Sequence, residues 1–254
     1  PATPRNHCNP VVYSPSRLVC YPMKAWLQRG GDFILEVTDC LPCLRKALHQ
    51  SQTPGSPGWQ GRTGKLLAMV IRRTFYQFQP IVDPSVLHSR HAILSTPSLP
   101  PSVPGVYAWF FRDIPGSVPV DGCVTKDSLT LLYVGISHDK IGKPNSRQNL
   151  RIRITTHLRG NAEGSTLRRS LGALLSDLSG FPLRRVGSGR RMTLTHNGER
   201  WLDDWMADNA FVCWLEHKAP WEFEEELLGN LSLPLNIEDN AAHPFAKVLS
   251  DIRK

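Results

Sequence analysis

Two tyrosines, an arginine and a histidine one helical turn apart, and an acidic run followed by Pro-Leu-Asn are the residues of this sequence that could do chemistry. Tyr107 stands in GVYAWFF (105–111) and Tyr133 in LLYVGIS (131–137). Both stretches read as buried strands, where a tyrosine ordinarily packs its ring and hydrogen-bonds its hydroxyl. Arg153 and His157 lie in SRQNLRIRITTHLRG (146–160), whose Leu150, Ile154 and Leu158 recur at helical spacing ahead of a Gly160 stop. At about 100° per residue they fall roughly 60° and 20° to one side of Leu150, so both border the core. From there a guanidinium can reach a cleft while its stem packs on apolar surface. The acids of PWEFEEELLGNL (220–231) follow a proline at a helix start, where the helix dipole favours negative charge.

Charge is unevenly distributed. Residues 140–200 hold 13 Lys and Arg against 3 acids, whereas residues 201–254 hold 4 against 11. A basic segment beside an acidic one suits a protein that holds a polyanion with the first and a divalent cation with the second. Charge runs are also the usual make-up of a solvated face, which is the plainer reading of each segment. No run of 18 apolar residues exists in the 254, so nothing is expected to span a bilayer as a helix. The opening PATPRNHCNP has no apolar secretory core, and the cytoplasm is the expected location. Six cysteines, at 8, 20, 40, 43, 123 and 213, are too scattered for a disulfide framework. Cys40-Leu-Pro-Cys43 has half a zinc-site spacing without a second half.

The elements that must position these residues follow from the turn chemistry between them. Residues 1–95 read as an N-terminal extension, partly disordered, with an accessory helix in KLLAMVIRRTFYQF (65–78) ending before Pro80. The breaker segment TPSLPPSVPG (96–105) marks the main boundary, and residues 96–254 form the principal domain. Within it, GVYAWFF and LTLLYVGIS (129–137) make an antiparallel hairpin with a long loop. The Arg153 helix comes next, followed by STLRRSLGALLSDL (165–178), a helix with a Ser-Thr start. A basic hairpin around 184–193, a helix in GERWLDDWMADN (198–209), a third strand in FVCWLE (211–216) and the acidic helix complete the order. Gly135 is expected to let the chain leave the sheet.

GVY (105–107) and YVG (133–135) resemble the paired tripeptides of the GIY-YIG nuclease superfamily. Three further features of that family have counterparts in order. Arg153-Ile-Thr-Thr-His157 resembles its RxxxH helix, Glu224-Glu-Glu-Leu227-Leu228 its ExxLI motif, and Pro234-Leu-Asn236 its downstream Asn after a proline. The resemblance covers about residues 100–245 and implies a small α/β fold: a three-stranded central sheet with an N-terminal β-hairpin, flanked by helices. It also implies endonucleolytic hydrolysis of phosphodiester bonds in DNA, RNA not being excluded.

In that chemistry a water loses a proton while charge builds on phosphate oxygens and on the departing oxygen. The resemblance gives Glu224 the metal, Mg2+ or Mn2+, since hard cations take oxygen ligands; Glu222, Glu225 and Glu226 are the nearby alternatives, and Glu224 is set apart by its spacing to Leu227, Leu228 and Asn236. Arg153 takes the scissile phosphate, Tyr107 the role of base and His157 a part in accepting or relaying its proton. Asn236 positions groups around Glu224, and Tyr133 bonds phosphate or a metal-held water. Arg147, Arg151, Arg159, Arg168, Arg169, Arg190 and Arg191 are the candidate contacts to the nucleic-acid backbone. Two rival readings use other features. Glu216-His217-Lys218, with Asp203, Asp204 and Asp208 upstream, resembles the ExK sequence of PD-(D/E)xK nucleases, and the basic segment with Trp109 and Trp221 would suit a nucleic-acid-binding module without turnover.

Overall fold

A computed structural model of the chain describes residues 77–96, 98–137, 147–189, 191–238 and 240–254, with the backbone of two short strands upstream. Those two, β1 (Lys24–Ala25) and β2 (Val37–Thr38), pair antiparallel with each other. The remainder of the expected extension up to residue 76, including Cys40 and Cys43, lies outside the described residues.

The sheet has five strands rather than the three expected. Its centre is formed by the anticipated segments: β4 (Gly105–Phe111), β6 (Leu129–Ser137) and β9 (Ala210–Glu216). Two-residue strands extend it, β3 (His88–Ser89) beside β9 and β5 (Thr125–Lys126) beside β6, giving the order β3-β9-β4-β6-β5 with every pair antiparallel. Strands of two residues are too short to show alternation, which is why they escape a pattern reading. β5 turns into β6 through Asp127 and Ser128, both at positive φ (49° and 65°), the backbone that a two-residue hairpin matching the strand twist requires.

Helices cover both faces of the sheet, so β4 is buried along its whole length. On one face, Tyr107, Trp109 and Phe111 meet α1 (Arg90–Ser95), α2 (Leu150–Arg159), α3 (Thr166–Leu174), α5 (His196–Asn209) and α7 (Pro244–Ile252). Between α3 and α5 lie a short turn of helix, α4 (Ser176–Ser179), and the basic hairpin β7 (Arg184–Arg185) and β8 (Met192–Thr193), paired antiparallel as expected. On the other face, Val106, Ala108 and Phe110 meet α6 (Pro220–Asn230) and the helical residues 77–82. Pro80 therefore sits inside helical structure rather than beyond its end; Phe78, Ile81 and Val82 are core residues, and their burial outweighs the breaker preference. Residues upstream of the breaker segment thus feed both cores, Ile93 supplying the first.

One irregularity fixes which way Tyr133 points. Trp109 pairs with Tyr133 but Phe110 with Leu131, leaving Leu132 as an extra residue in β6. Such a bulge resets the alternation of side chains. Leu132 and Tyr133 therefore both join the Tyr107 core, while Leu131 and Val134 join the other. β6 then runs on through Gly135 to Ser137, so the chain does not leave the sheet at the glycine as expected.

Candidate active site

β4 and β6 place their tyrosines on one face, with Tyr107 opposite Gly135 and Tyr133 opposite Trp109. Gly135 is required by this pairing. A Cβ there would lie 2.5 Å from the Tyr107 hydroxyl and 2.7 Å from its ring carbon Cζ, so the phenol rests directly on the glycine backbone.

α2 lies over these rings. Asn149 caps it, its side-chain oxygen accepting from Ile152 N at 3.0 Å, and Leu150 N donates to Val103 O in the segment leading into β4. Leu150, Ile154 and Leu158 enter the core as their spacing predicts, but His157 goes further than the expected border position and is fully enclosed. Its Nε2 lies 2.8 Å from Tyr107 Oη and its Nδ1 2.7 Å from Ser165 Oγ. The rings of Tyr107, Trp109 and Tyr133 surround the imidazole at centroid distances of 5.3, 6.0 and 6.2 Å. Burial, reinforced by the cationic Arg153 and Arg168, holds His157 well below the ordinary histidine range, so it is neutral.

Tyr107 is pushed well above the ordinary phenol range by burial first, and then by Tyr133. The charge of half-buried Arg153 and its hydrogen bond to the phenol oppose that shift, and Glu224 adds to it. Tyr133 is raised by burial, opposed by a long contact to Thr166 Oγ1 at 3.5 Å and by Arg153, and raised further by Glu224 and Glu238. Glu224 thus acts electrostatically on both phenols even though its helix packs on the opposite face: Phe223 and Leu227 anchor α6 in the second core, and Glu224 stands half-buried beside them. Tyr107, Tyr133, Arg153, His157 and Glu224 form one electrostatic group.

Asn236 bonds to the backbone of β6. Its side chain accepts from Val134 N at 3.0 Å and donates to Val134 O at 2.8 Å, closing the outer edge of β6 beyond the reach of β5; Leu235 N does the same for Leu132 O. The residue expected to position groups around Glu224 bonds the backbone of the strand that carries Tyr133.

The expected nucleic-acid contacts separate by exposure. Arg147 and Arg159 are exposed. Arg151 donates to Pro100 O and Ser98 O, Arg169 to Ala162 O and Glu163 O, and exposed Arg191 pairs with Glu163. Arg190 lies outside the described residues. Arg168 does not fit the expectation of a surface contact: its side chain is fully enclosed, paired with Glu199 and Asp203 at 2.7 and 2.6 Å and donating to His157 O at 3.2 Å. The ExK grouping is not brought together. Asp203 is taken by Arg168 and Arg90, while Glu216 and Lys218 stand exposed at and just beyond the end of β9.

Sequence reasoning missed Ser165 and Thr166, although the Ser-Thr helix start was visible. It also missed Arg253, half-buried after α7; burial and then Arg169 push its guanidinium below the ordinary arginine range, while Glu238 and Tyr133 oppose that.

Residues 105–254, more than half of the chain, match the family model of the GIY-YIG catalytic domain. The chain belongs to the GIY-YIG family, and its domain suggests a nuclease acting on nucleic acid. No curated protein and no solved structure matches it. Nucleases of this family are generally dependent on a divalent metal. Among the described residues no group of three or more His, Cys, Asp or Glu is disposed to hold one. The half-buried Glu224 carboxylate, which acts electrostatically on two phenols, is an oxygen donor of the kind that would fit a hard cation. No helix among the described residues is long and apolar enough to cross a membrane.

Proposed function

We propose that this protein is an endonuclease that hydrolyses phosphodiester bonds in DNA, with Tyr107 as general base, Arg153 on the scissile phosphate and Glu224 on Mg2+ or Mn2+. The observation that carries this reading is the meeting of Tyr107, His157 and Arg153 at one point of the sheet, with Glu224 acting on the same phenols. A phenol serves as a base only when its deprotonated form is stabilised; burial opposes that at Tyr107, while Arg153 supplies positive charge and a hydrogen bond to that form, and a cation on Glu224 would offset the carboxylate that also opposes it. The guanidinium would hold a phosphate by charge-assisted hydrogen bonds, keeping the phosphorus beside the Tyr107 oxygen. A divalent cation on Glu224 would supply Lewis-acid stabilisation of the charge on the departing oxygen. Tyr133, tied to Thr166, would brace the phosphate or a bound water on the same face. Arg147 and Arg159 offer exposed charge to the backbone of the duplex.

The test is cleavage of supercoiled plasmid DNA in Mg2+ or Mn2+, with EDTA and Glu224→Ala as controls. Nicking that both controls abolish is the expected result. Equal cleavage by Glu224→Ala would remove Glu224 from the site, and DNA binding without nicking in any metal would make the domain a binding module.

A further inference from the structure

Ser165, His157 and Tyr107 form a chain of three groups whose hydrogens can be counted. Ser165 Oγ is enclosed and has two partners among the described residues: Arg168 N, which donates to it at 3.0 Å, and His157 Nδ1 at 2.7 Å. Tyr107 Oη likewise has two, His157 Nε2 and Arg153. The neutral imidazole carries one ring hydrogen, and which nitrogen holds it is set by the partners. If Nδ1 holds it, the ring donates to Ser165, and the serine hydroxyl, already accepting from Arg168 N, is left with its own hydrogen buried and unused. If Nε2 holds it, the serine donates to Nδ1, Arg168 N to the serine and the ring to Tyr107 Oη. The surplus hydrogen is then the phenol's own.

Burial keeps that proton on the phenol at rest, and the second arrangement becomes complete once Tyr107 has given it up to become the base: Oη then accepts from both His157 and Arg153, and no donor or acceptor in the chain is left unmatched. The first would set an imidazole lone pair against a phenolate. We infer that Ser165 fixes His157 in its Nε2–H form, so that the histidine acts as a hydrogen-bond donor to the Tyr107 oxygen and not as the base that deprotonates it. Ser165 is thus a positioning residue, acting through His157, and its second duty as the cap of α3 keeps it oriented. The inference rests on Tyr107 being the general base.

The tautomer is measured directly on the wild-type protein. Long-range 1H–15N correlation of histidine-labelled protein distinguishes the two forms, with the His157 signal assigned by its loss in His157→Gln. An Nε2–H pattern is expected, and an Nδ1–H pattern overturns the inference whether or not the protein cleaves DNA. A wild type that shows the Nε2–H form yet never cleaves would leave the hydrogen-bond order standing and remove the proposed nuclease reading. Ser165→Thr, which keeps both the cap and the donor, should retain tautomer and cleavage. Ser165→Ala should lose the fixed tautomer and lower the cleavage rate by up to about 10,000-fold, the scale on which a mis-set histidine tautomer costs a serine hydrolase. Should folded Ser165→Ala keep full cleavage with a changed tautomer, His157 donation would have no part in catalysis.

Discussion

At the scale of single residues, the site depends on close approaches that a change of one atom group would disturb. Gly135→Ala would put a methyl group into the Tyr107 hydroxyl, and the ring, enclosed and bonded to His157 and Arg153, has little room to withdraw. We expect a loss of about 1–3 kcal/mol in stability by urea titration, as for other overpacked cores, together with a larger loss of cleavage than that destabilisation explains. His157 makes a second prediction. Its folded-state protonation lies well below the ordinary value of 6.5, so between the two the unfolded chain binds a proton that the folded protein does not. Stability is therefore full above about pH 6.5 and falls as the pH drops below it. Chemical denaturation at several pH values should show this slope in wild type and a shallower one in His157→Gln. At this scale the sequence was informative about residue types but not about partners. Tyr107, Arg153 and His157 could be picked out by resemblance to the family's motifs, whereas the Ser165 hydrogen bond joins residues on successive helices, and only folding brings it about.

At the scale of elements, two polar side chains fill places that sequence patterns assign to packing or to the surface. Asn236 pairs with both backbone groups of Val134, serving as a one-residue strand along the edge of β6. Asn236→Ala should cost about 1–3 kcal/mol for each buried group left unpaired, and hydrogen exchange should speed up at the Val134 amide. Arg168 joins α2, α3 and α5 through His157 O, Glu199 and Asp203. Removing one side of such an enclosed pair costs about 3–5 kcal/mol where both partners are buried, and Arg168→Met should approach the lower figure because its two carboxylates are partly exposed. Differential scanning calorimetry would register the change. The long strands and the helices α2 and α3 were legible because their apolar residues repeat and, for α3, because the Ser-Thr start stands at its head. α7 escapes such a reading, although Pro244 opens it and Phe245, Ala246 and Leu249 are its buried side; a short helix after a loop lacks the length for its period to stand out. Arg168 is hidden for another reason: it belongs to a charge run, and such runs are usually solvated.

At the scale of the whole molecule, the sheet separates two tasks. One face carries the phenols under α2, and the other holds the acidic helix in place. The basic segment should determine how nucleic acid is approached. If Arg147 and Arg159 each neutralise a phosphate of duplex DNA, replacing both with Ala should reduce the salt slope of log affinity by about 2, at roughly 0.9 for each phosphate. Fluorescence anisotropy across a NaCl series measures this slope. Arg168, enclosed, should leave it unchanged in any variant that remains folded.

The extra residue in β6 also bears on how this chain tolerates changes of length. Without Leu132, Leu131 and Tyr133 would become sequence neighbours facing opposite sides, and both would still meet their present partners Phe110 and Trp109. A deletion there would cost a buried leucine yet preserve the reading frame of the sheet. Removing Val134 instead would invert everything from Gly135 to Ser137 against β4 and lift the glycine from beneath Tyr107. Two deletions two residues apart should therefore differ in kind: one gives a weaker protein with its phenols in place, and the other a protein in which Gly135 no longer lies beneath Tyr107.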